Sequence, residues 1–151
     1  MTRTTARELA ILLGFSARGD ETVEETVARF FEPEHYESLA AESPLFAEQP
    51  GPAELDYITR VVSLMTERRE ELDGYIRKYA HGWRPERISR TVAAILRCAM
   101  CEILYLPDVP AGAAINEAVE LAKHYEPSET VAFLNGVLGA FVRCEQPEQQ
   151  A

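Results

Sequence analysis

The most informative segment of the sequence is Ala113–Leu138, which reads AAINEAVELAKHYEPSETVAFLNGVL. Its apolar residues recur at steps of three and four, the spacing of a helix that packs one face against a core. The pattern breaks at Glu126-Pro127-Ser128-Glu129, where a new helix can begin with Ser128 or Glu126 as cap and Pro127 in the first turn. The stretch therefore predicts two consecutive helices, and it contains no nucleophile with its base, no metal cluster and no phosphate-binding loop.

Helical spacing continues outward from this stretch, and the alternation typical of a strand is absent. At 151 residues the chain fits one compact domain. We predict an all-α fold of six to seven helices over residues 1–144, followed by a loose polar tail over 145–151. The predicted helices cover 3–18, 22–31, 34–41, a long segment from 53 to 80, a segment from 88 that Pro107 ends, one that Pro110 starts, and one from 128 onward.

Two of these helices carry detailed expectations. Apolar residues from Leu55 to Trp83 form one seam that Arg69 alone interrupts, which predicts a single long helix. The first helix is expected to bury one face and to present an arginine-bearing stripe away from it. That core face comprises Ala6, Leu9, Ala10, Leu13 and Ala17, and the stripe comprises Arg3, Arg7, Ile11, Gly14 and Arg18.

Charge is distributed unevenly along the chain. The net charge is −10, which at first opposes binding to nucleic acid. Residues 20–56 hold eleven acids and one base, whereas residues 60–97 hold nine bases and five acids. Because a phosphate chain responds to the potential of one face, the total charge does not exclude it as a ligand.

Cysteine, histidine and hydropathy patterns argue against several functional classes. Three cysteines give no disulfide framework, and Cys98-Ala-Met-Cys101 falls in a predicted mid-helix position that favours buried side chains over a redox or metal site. The three histidines are scattered, so we expect no enzyme, no metal and no cofactor. No apolar run approaches the ~20 residues that cross a bilayer, and we expect a cytoplasmic protein with no membrane segment.

A resemblance to a known family emerges at Ala94–Leu138. Its motifs Ile95-Leu96-Arg97, Asp108-Val109-Pro110, Ile115-Asn116-Glu117-Ala118 and Asn135-Gly136-Val137-Leu138 closely resemble the C-terminal signature of the NusB family of bacterial transcription antitermination factors. Ala6-Arg7-Glu8 matches the N-terminal helix of that family. The resemblance implies two small helical bundles without enzymatic activity.

The resemblance also implies partners. NusB-like proteins pair with NusE, a small-subunit ribosomal protein, and the heterodimer binds the boxA element of nascent ribosomal RNA. The complex then joins an RNA polymerase elongation complex, and some members form homodimers instead. An adaptor that binds proteins but has little RNA affinity of its own is the alternative function.

The expected RNA contacts are cations for phosphates and aromatic rings for bases. They are Arg3, Arg7, Tyr79, Lys123 and Phe133, of which Arg7, Tyr79 and Phe133 are carried over from the family. Core packing is an equally good interpretation of Tyr79 and a slightly better one of Phe133, and Lys123 also suits the last turn of a helix. Threonines separate Arg3 from Arg7 where the family has a denser arginine run, so we expect RNA affinity to depend on the partner.

Leftover apolar surface on the first helix indicates the protein partner. Ile11, Leu12 and Phe15 cannot all face one core, and such surplus often marks a contact with another protein. Burial under the acidic second helix is the alternative. Trp83 and Arg90 could extend the same face. Asn116 and Glu117 are expected to bracket Arg97 between helices, and a neighbouring helix is the favoured explanation of Gly136 over close approach of RNA.

Overall fold

A computed structural model describes residues 1–82 and 87–146. Within these ranges the chain forms eight α-helices and no strand, which confirms the all-α class and exceeds the predicted six to seven helices. None of these helices is long and apolar enough to cross a membrane. The helices are α1 (Arg3–Gly14), α2 (Val23–Phe30), α3 (Pro33–Leu39), α4 (Pro52–Glu67), α5 (Arg69–Tyr79), α6 (Arg90–Tyr105), α7 (Ala111–Ala122) and α8 (Ser128–Glu145), with a short 3-10 turn at Pro44–Phe46.

The chain divides into two compact units. The first, Met1–Thr66, contains α1 to α3 and all but the last residue of α4, and the second, Glu67–Ala151, contains α5 to α8. The predicted domain 1–144 therefore contains two bundles, and whether they behave as one domain stays a prediction. The predicted start of the tail is one residue early, since Glu145 still belongs to α8 and accepts hydrogen bonds from α5.

The extra helix arises where the long apolar seam was predicted. The helix breaks at Arg68, the cap residue before α5, which has no side-chain capping bond. Arg69, the one residue that interrupted the seam, begins α5 with an exposed side chain 3.7 Å from Asp73. The prediction of one continuous helix is thus wrong. The break leaves the Arg69 side chain in solvent, while the apolar residues before and after it are buried in their own units.

The first unit is built on α1 and a cluster of aromatic rings. Four of the five predicted core residues of α1 are fully buried, but Ala17 is exposed because the helix ends at Gly14, short of the predicted Arg18. Thr22 and Glu25 form a reciprocal capping box that starts α2. The rings that fill the space between α2, α3 and the 3-10 turn are Phe30, Phe31, Tyr36 and Phe46.

The second unit is organised around α6, which packs against α5, α7 and α8. Ten of its residues are buried, including Cys98, Cys101 and Glu102. The Cys98 thiol lies 3.6 Å from the Glu102 carboxylate, to which it donates a hydrogen bond. Both cysteines therefore lie in mid-helix and in the core, as their spacing indicated.

The predicted cap of α8 is wrong. Pro127 is the cap residue, and no side chain caps this helix. Glu126 accepts a hydrogen bond from Ser89 at 2.9 Å instead, so its carboxylate joins the loop before α8 to the residue that caps α6. A tertiary contact here replaces the local one that the sequence suggested.

Candidate nucleic-acid interface

Arg3 offers the clearest exposed cation of the first unit. It begins α1, which Thr2 caps by accepting a hydrogen bond from the Thr5 amide at 3.1 Å. Its guanidinium lies 4.1 Å from the centroid of the Tyr57 ring on α4. Because a planar guanidinium can stack on a ring and still donate from its edge, Arg3 is oriented while its N–H groups stay available to a phosphate.

Arg7 is placed differently from the prediction. Its side chain is only 6% exposed, and Ile11 on the next turn is buried too. The predicted exposed stripe of α1 is therefore wrong at these two positions. For Ile11 the reason lies in the run Leu9–Leu13, which is apolar around most of the helix and is buried on more than one face. A phosphate contact by Arg7 stays an untested prediction.

Tyr79 is buried in the second unit, with 7% of its surface exposed. Its ring packs edge-on against Phe141 at a centroid distance of 6.2 Å, and its hydroxyl donates to the Glu145 carboxylate. Burial raises the pKa of the Tyr79 hydroxyl, and the bond to Glu145 raises it further. Its ring is thus placed as core packing predicts, and its face is not open for a base to stack on.

Lys123 and Phe133 remain accessible on the second unit. Lys123 is exposed directly after α7, where its ammonium pairs with Glu120 at 2.8 Å. Phe133 is half-buried on α8, two residues before Asn135 and three before Gly136, which are both exposed. These two residues keep the exposure that contact with RNA requires.

The predicted partner-binding residues of the first helix differ in how far their side chains are exposed to solvent. Ile11 is buried, Leu12 is half-buried and Phe15 is 41% exposed. Leu12 and Phe15 line a groove of about 530 Å³ in the first unit. Its other lining residues are Ser16, Ala17, Arg18, Arg29, Phe30, His35, Leu39, Glu42 and Phe46.

The remaining predicted partner residues are Arg90 and Trp83. Arg90 is the first residue of α6, and its side chain is exposed. Trp83 lies outside the described residues. The predicted extension of the partner face therefore rests on Arg90 alone here.

Three of the four residues in the Asn-Glu and Asn-Gly pairs of Ala113–Leu138 are exposed, namely Asn116, Asn135 and Gly136. Asn116 is exposed, and Arg97 forms its ion pair with Asp73 of α5 at 2.6 Å, so the predicted bracket around Arg97 is wrong for Asn116. A Cβ atom on Gly136 would meet nothing within 4 Å, so close packing of a neighbouring helix does not explain this glycine. Between α7 and α8 lies an uncharged groove of about 490 Å³ lined by Gly112, Ile115, Asn116, Val119, Ser128, Val131, Ala132 and Asn135.

A family model described as NusB family matches residues 4–143. This chain belongs to the NusB family. The assignment confirms the resemblance and places the chain among the transcription antitermination proteins.

Relatives of this NusB-family chain carry the name transcription antitermination protein NusB. One from Clostridium botulinum (strain Kyoto / Type A2) is 32% identical over 143 residues, covering 94% of this chain and 100% of the relative. One from Symbiobacterium thermophilum is 38% identical over 149 residues, covering 95% and 90%. One from Acetivibrio thermocellus is 47% identical over 88 residues, covering 58% and 61%.

The fold is also that of a solved NusB structure. T. maritima NusB superposes with a TM-score of 0.66 at 22% sequence identity, covering 99% of this chain and 96% of that one. At this identity the likeness concerns the arrangement of the helices. It agrees with the all-α architecture described above.

Sequence reasoning missed two charged networks in this NusB-family chain. Glu21 and Arg29 pair at 2.8 Å before and within α2, and Lys78 pairs with Glu145 at 2.9 Å. The first pair is near in sequence, and the single arginine of the acidic segment was its signal. The second joins two residues that lie 67 positions apart in the chain, so only the fold reveals it. Among residues 1–82 and 87–146, no group of three His, Cys, Asp or Glu side chains could hold a metal ion.

Proposed function

We propose that this chain is a NusB-type antitermination factor that binds boxA-like single-stranded RNA as a heterodimer with a NusE-type ribosomal protein. In this role it acts in the cytoplasm, joins transcribing RNA polymerase and supports synthesis of ribosomal RNA. The observation that carries the proposal is the family match over residues 4–143. The chain contributes surfaces for binding and makes or breaks no covalent bond.

Exposed cations on each unit support the RNA-binding half of the proposal. Arg3 is stacked on Tyr57 in the first unit, and Lys123 ends α7 in the second. Phe133 adds a half-buried ring on α8, and aromatic faces stack on unpaired bases without requiring a particular sequence. We propose that these three side chains contact RNA.

The exposed phenyl ring of Phe15 supports the partner-binding half. An exposed aromatic beside a groove is costly to leave in water, and such rings often anchor a protein interface. Leu12 lines the same groove and widens its apolar part. We assign Leu12 and Phe15 to the contact with the ribosomal protein.

The test of RNA binding is a titration of labelled boxA-like RNA with the chain in complex with its NusE-type partner. We expect Arg3→Ala and Lys123→Ala each to weaken binding several-fold. Each should also lower the slope of log affinity against log salt by ~0.7, since each removes one contact to single-stranded phosphate.

Arg69→Ala is the matched control, because it removes an exposed arginine outside the proposed contacts. It should leave both the affinity and the salt slope close to those of the wild type. If all three variants bind alike, neither Arg3 nor Lys123 contacts RNA.

The second candidate function is an adaptor that binds proteins but has little RNA affinity. The burial of Arg7 and Tyr79 favours it, since two of the five predicted RNA contacts are withdrawn from the surface. The same titration separates the candidates. Binding of the partner without measurable binding of RNA by the complex would establish the adaptor.

A further inference from the structure

The ends of α5 and α8 meet in a small network of charge-assisted hydrogen bonds. Glu145 is the last residue of α8, and one of its carboxylate oxygens accepts from the Lys78 ammonium at 2.9 Å. The same oxygen accepts from the Tyr79 hydroxyl. The Lys78 ammonium also lies 5.3 Å from the centroid of the Tyr79 ring. One carboxylate oxygen thus receives two donors that adjacent residues present together.

Cationic residues lie in the last turns of both helices. Arg77 and Lys78 lie in the last turn of α5, and Arg143 lies in the last turn of α8. Arg77 and Arg143 are both exposed. Cations favour the ends of helices, where they offset the partial negative charge of free carbonyl groups. Of these three cations, Lys78 is the one that acts on the Glu145 carboxylate. The guanidinium groups of Arg77 and Arg143 lie back along their own helices, close to Gly74 and Gly139.

We propose that the Lys78 ammonium and the Tyr79 hydroxyl form a receptor for a backbone phosphate of RNA, and that Glu145 occupies this receptor until RNA displaces it. Phosphate and carboxylate oxygens accept from the same donors. The carboxylate therefore acts as an internal competitor that holds the receptor closed. This inference rests on the proposed function for the identity of the phosphate, and it assigns to RNA a contact with the Tyr79 hydroxyl instead of with the buried ring.

Exposure makes the exchange feasible. The Lys78 side chain is 61% exposed and that of Glu145 is 21% exposed, so a ligand can reach the ammonium from solvent. Tyr79 is only 7% exposed, so a phosphate would meet its hydroxyl only at the place that the Glu145 carboxylate occupies. A surface ion pair contributes little net stability, because water solvates both partners when it opens. Glu145 is also the terminal residue of its helix, and helix ends fray readily. The carboxylate can thus leave without disturbing Phe141 or the rest of the core.

The hydrogen bonds in this network also stabilise the ionised carboxylate of Glu145 and the protonated ammonium of Lys78. The pKa of Glu145 is lowered because the Tyr79 hydroxyl and the Lys78 ammonium donate to it. The pKa of Lys78 is raised, chiefly because its ammonium donates to Glu145. Near neutral pH the receptor therefore holds an anion and is already arranged around one.

The first test is Glu145→Gln, which keeps an oxygen acceptor for Tyr79 and removes the charge. We expect the partner-bound complex of this variant to bind boxA-like RNA about two- to fivefold more tightly than wild type, because no ion pair has to open.

The control is Glu70→Gln, which removes an exposed carboxylate of α5 away from the receptor. It lowers the negative charge of the chain equally, so it measures the general electrostatic effect. Combining Glu145→Gln with Lys78→Gln should abolish the gain. Thermal unfolding of each variant checks that the end of α8 stays folded.

The second test does not depend on RNA. Inorganic phosphate is titrated into the isolated chain while NMR follows the Lys78 side-chain signals. We expect phosphate to shift these signals in Glu145→Gln at concentrations that leave the wild type and Glu70→Gln unchanged. If Glu145→Gln responds as Glu70→Gln does, the receptor is disproved, whatever RNA does. If phosphate binds as expected but no complex binds RNA, the receptor stands and the proposed RNA-binding function fails.

Discussion

Arg29 joins the end of α1 to the start of α2. Its guanidinium donates to both oxygens of Glu21, at 2.8 and 2.9 Å, and to the Ser16 carbonyl at 2.6 Å. Thr26 donates to the same carboxylate at 2.8 Å. These donors lower the pKa of Glu21 from 4.5 to about 2, with the bond from Arg29 as the largest cause. One carboxylate therefore fixes the turn between two helices of the first unit.

The pKa of Glu21 predicts how stability changes with pH. Because the folded state lowers this pKa, ionised Glu21 stabilises the folded state above pH 4.5, and the contribution is lost as the pH falls from 4.5 to about 2. We expect Glu21→Gln to be less stable than wild type at neutral pH. The difference in the free energy of unfolding, measured by urea denaturation, should shrink over this interval.

Glu37→Gln is the control for that titration, since it removes an exposed carboxylate from α3. Its difference from wild type should be smaller at neutral pH. A Glu21→Gln difference that stays constant from neutral pH down to pH 2 would contradict the assigned pKa.

Individual arginines show where sequence reasoning about the site stops. Arg3 and Arg7 lie one helical turn apart in the sequence, and both were therefore predicted to contact phosphates. Exposure separates them, because Arg7 is buried while Arg3 stacks on Tyr57, a residue of α4. Residue type and position made Lys123 a candidate phosphate contact, and the structure shows it exposed. They could not predict burial that depends on residues distant in the chain.

Helix α8 contains a glycine that the packing of neighbouring residues does not require. Gly136 lies in the interior of α8, and a Cβ atom there would meet nothing within 4 Å. Glycine in a helix costs about 0.5–1 kcal/mol relative to alanine. The fold accepts this cost without gaining a closer helix contact from it.

We therefore expect Gly136→Ala to raise the free energy of unfolding by about 0.5–1 kcal/mol in urea denaturation. Gly139→Ala is the matched control on the same helix, where the new Cβ would lie 3.3 Å from the Arg143 guanidinium. It should gain less, since that side chain must move. A loss of stability in Gly136→Ala would mean that the open space is absent in solution.

Local patterns predicted most helices, and their failures have a shared cause. Pro33, Pro110 and the Thr22 capping box mark helix starts that lie within a residue or two of the prediction. The break at Arg68 had no such marker, because arginine, glutamate and leucine all favour helix. There the division into two compact units overrides propensity. Burial in separate cores is information that a window of neighbouring residues does not contain.

At the scale of the whole molecule, charge limits what the isolated chain can do. The net charge is −10, which repels a polyanion at long range. Of the five predicted RNA contacts, only Arg3, Lys123 and Phe133 are exposed or half-buried. Two cations on single-stranded phosphates predict a salt slope of only about 1.4, which is characteristic of weak binding.

We therefore expect RNA affinity to depend on the protein partner. The isolated chain should bind boxA-like RNA at least tenfold more weakly than its complex with a NusE-type protein. The reason is that the partner adds phosphate contacts, each of which strengthens binding and adds ~0.7 to the slope of log affinity against log salt. Fluorescence anisotropy over a series of salt concentrations measures both quantities. A Phe15→Ser variant, which removes the exposed ring of the groove, should lose the gain from the partner while leaving the weak binding of the isolated chain intact. Equal affinities of chain and complex would show that these few exposed contacts suffice, and that a surface with this net charge can hold RNA unaided.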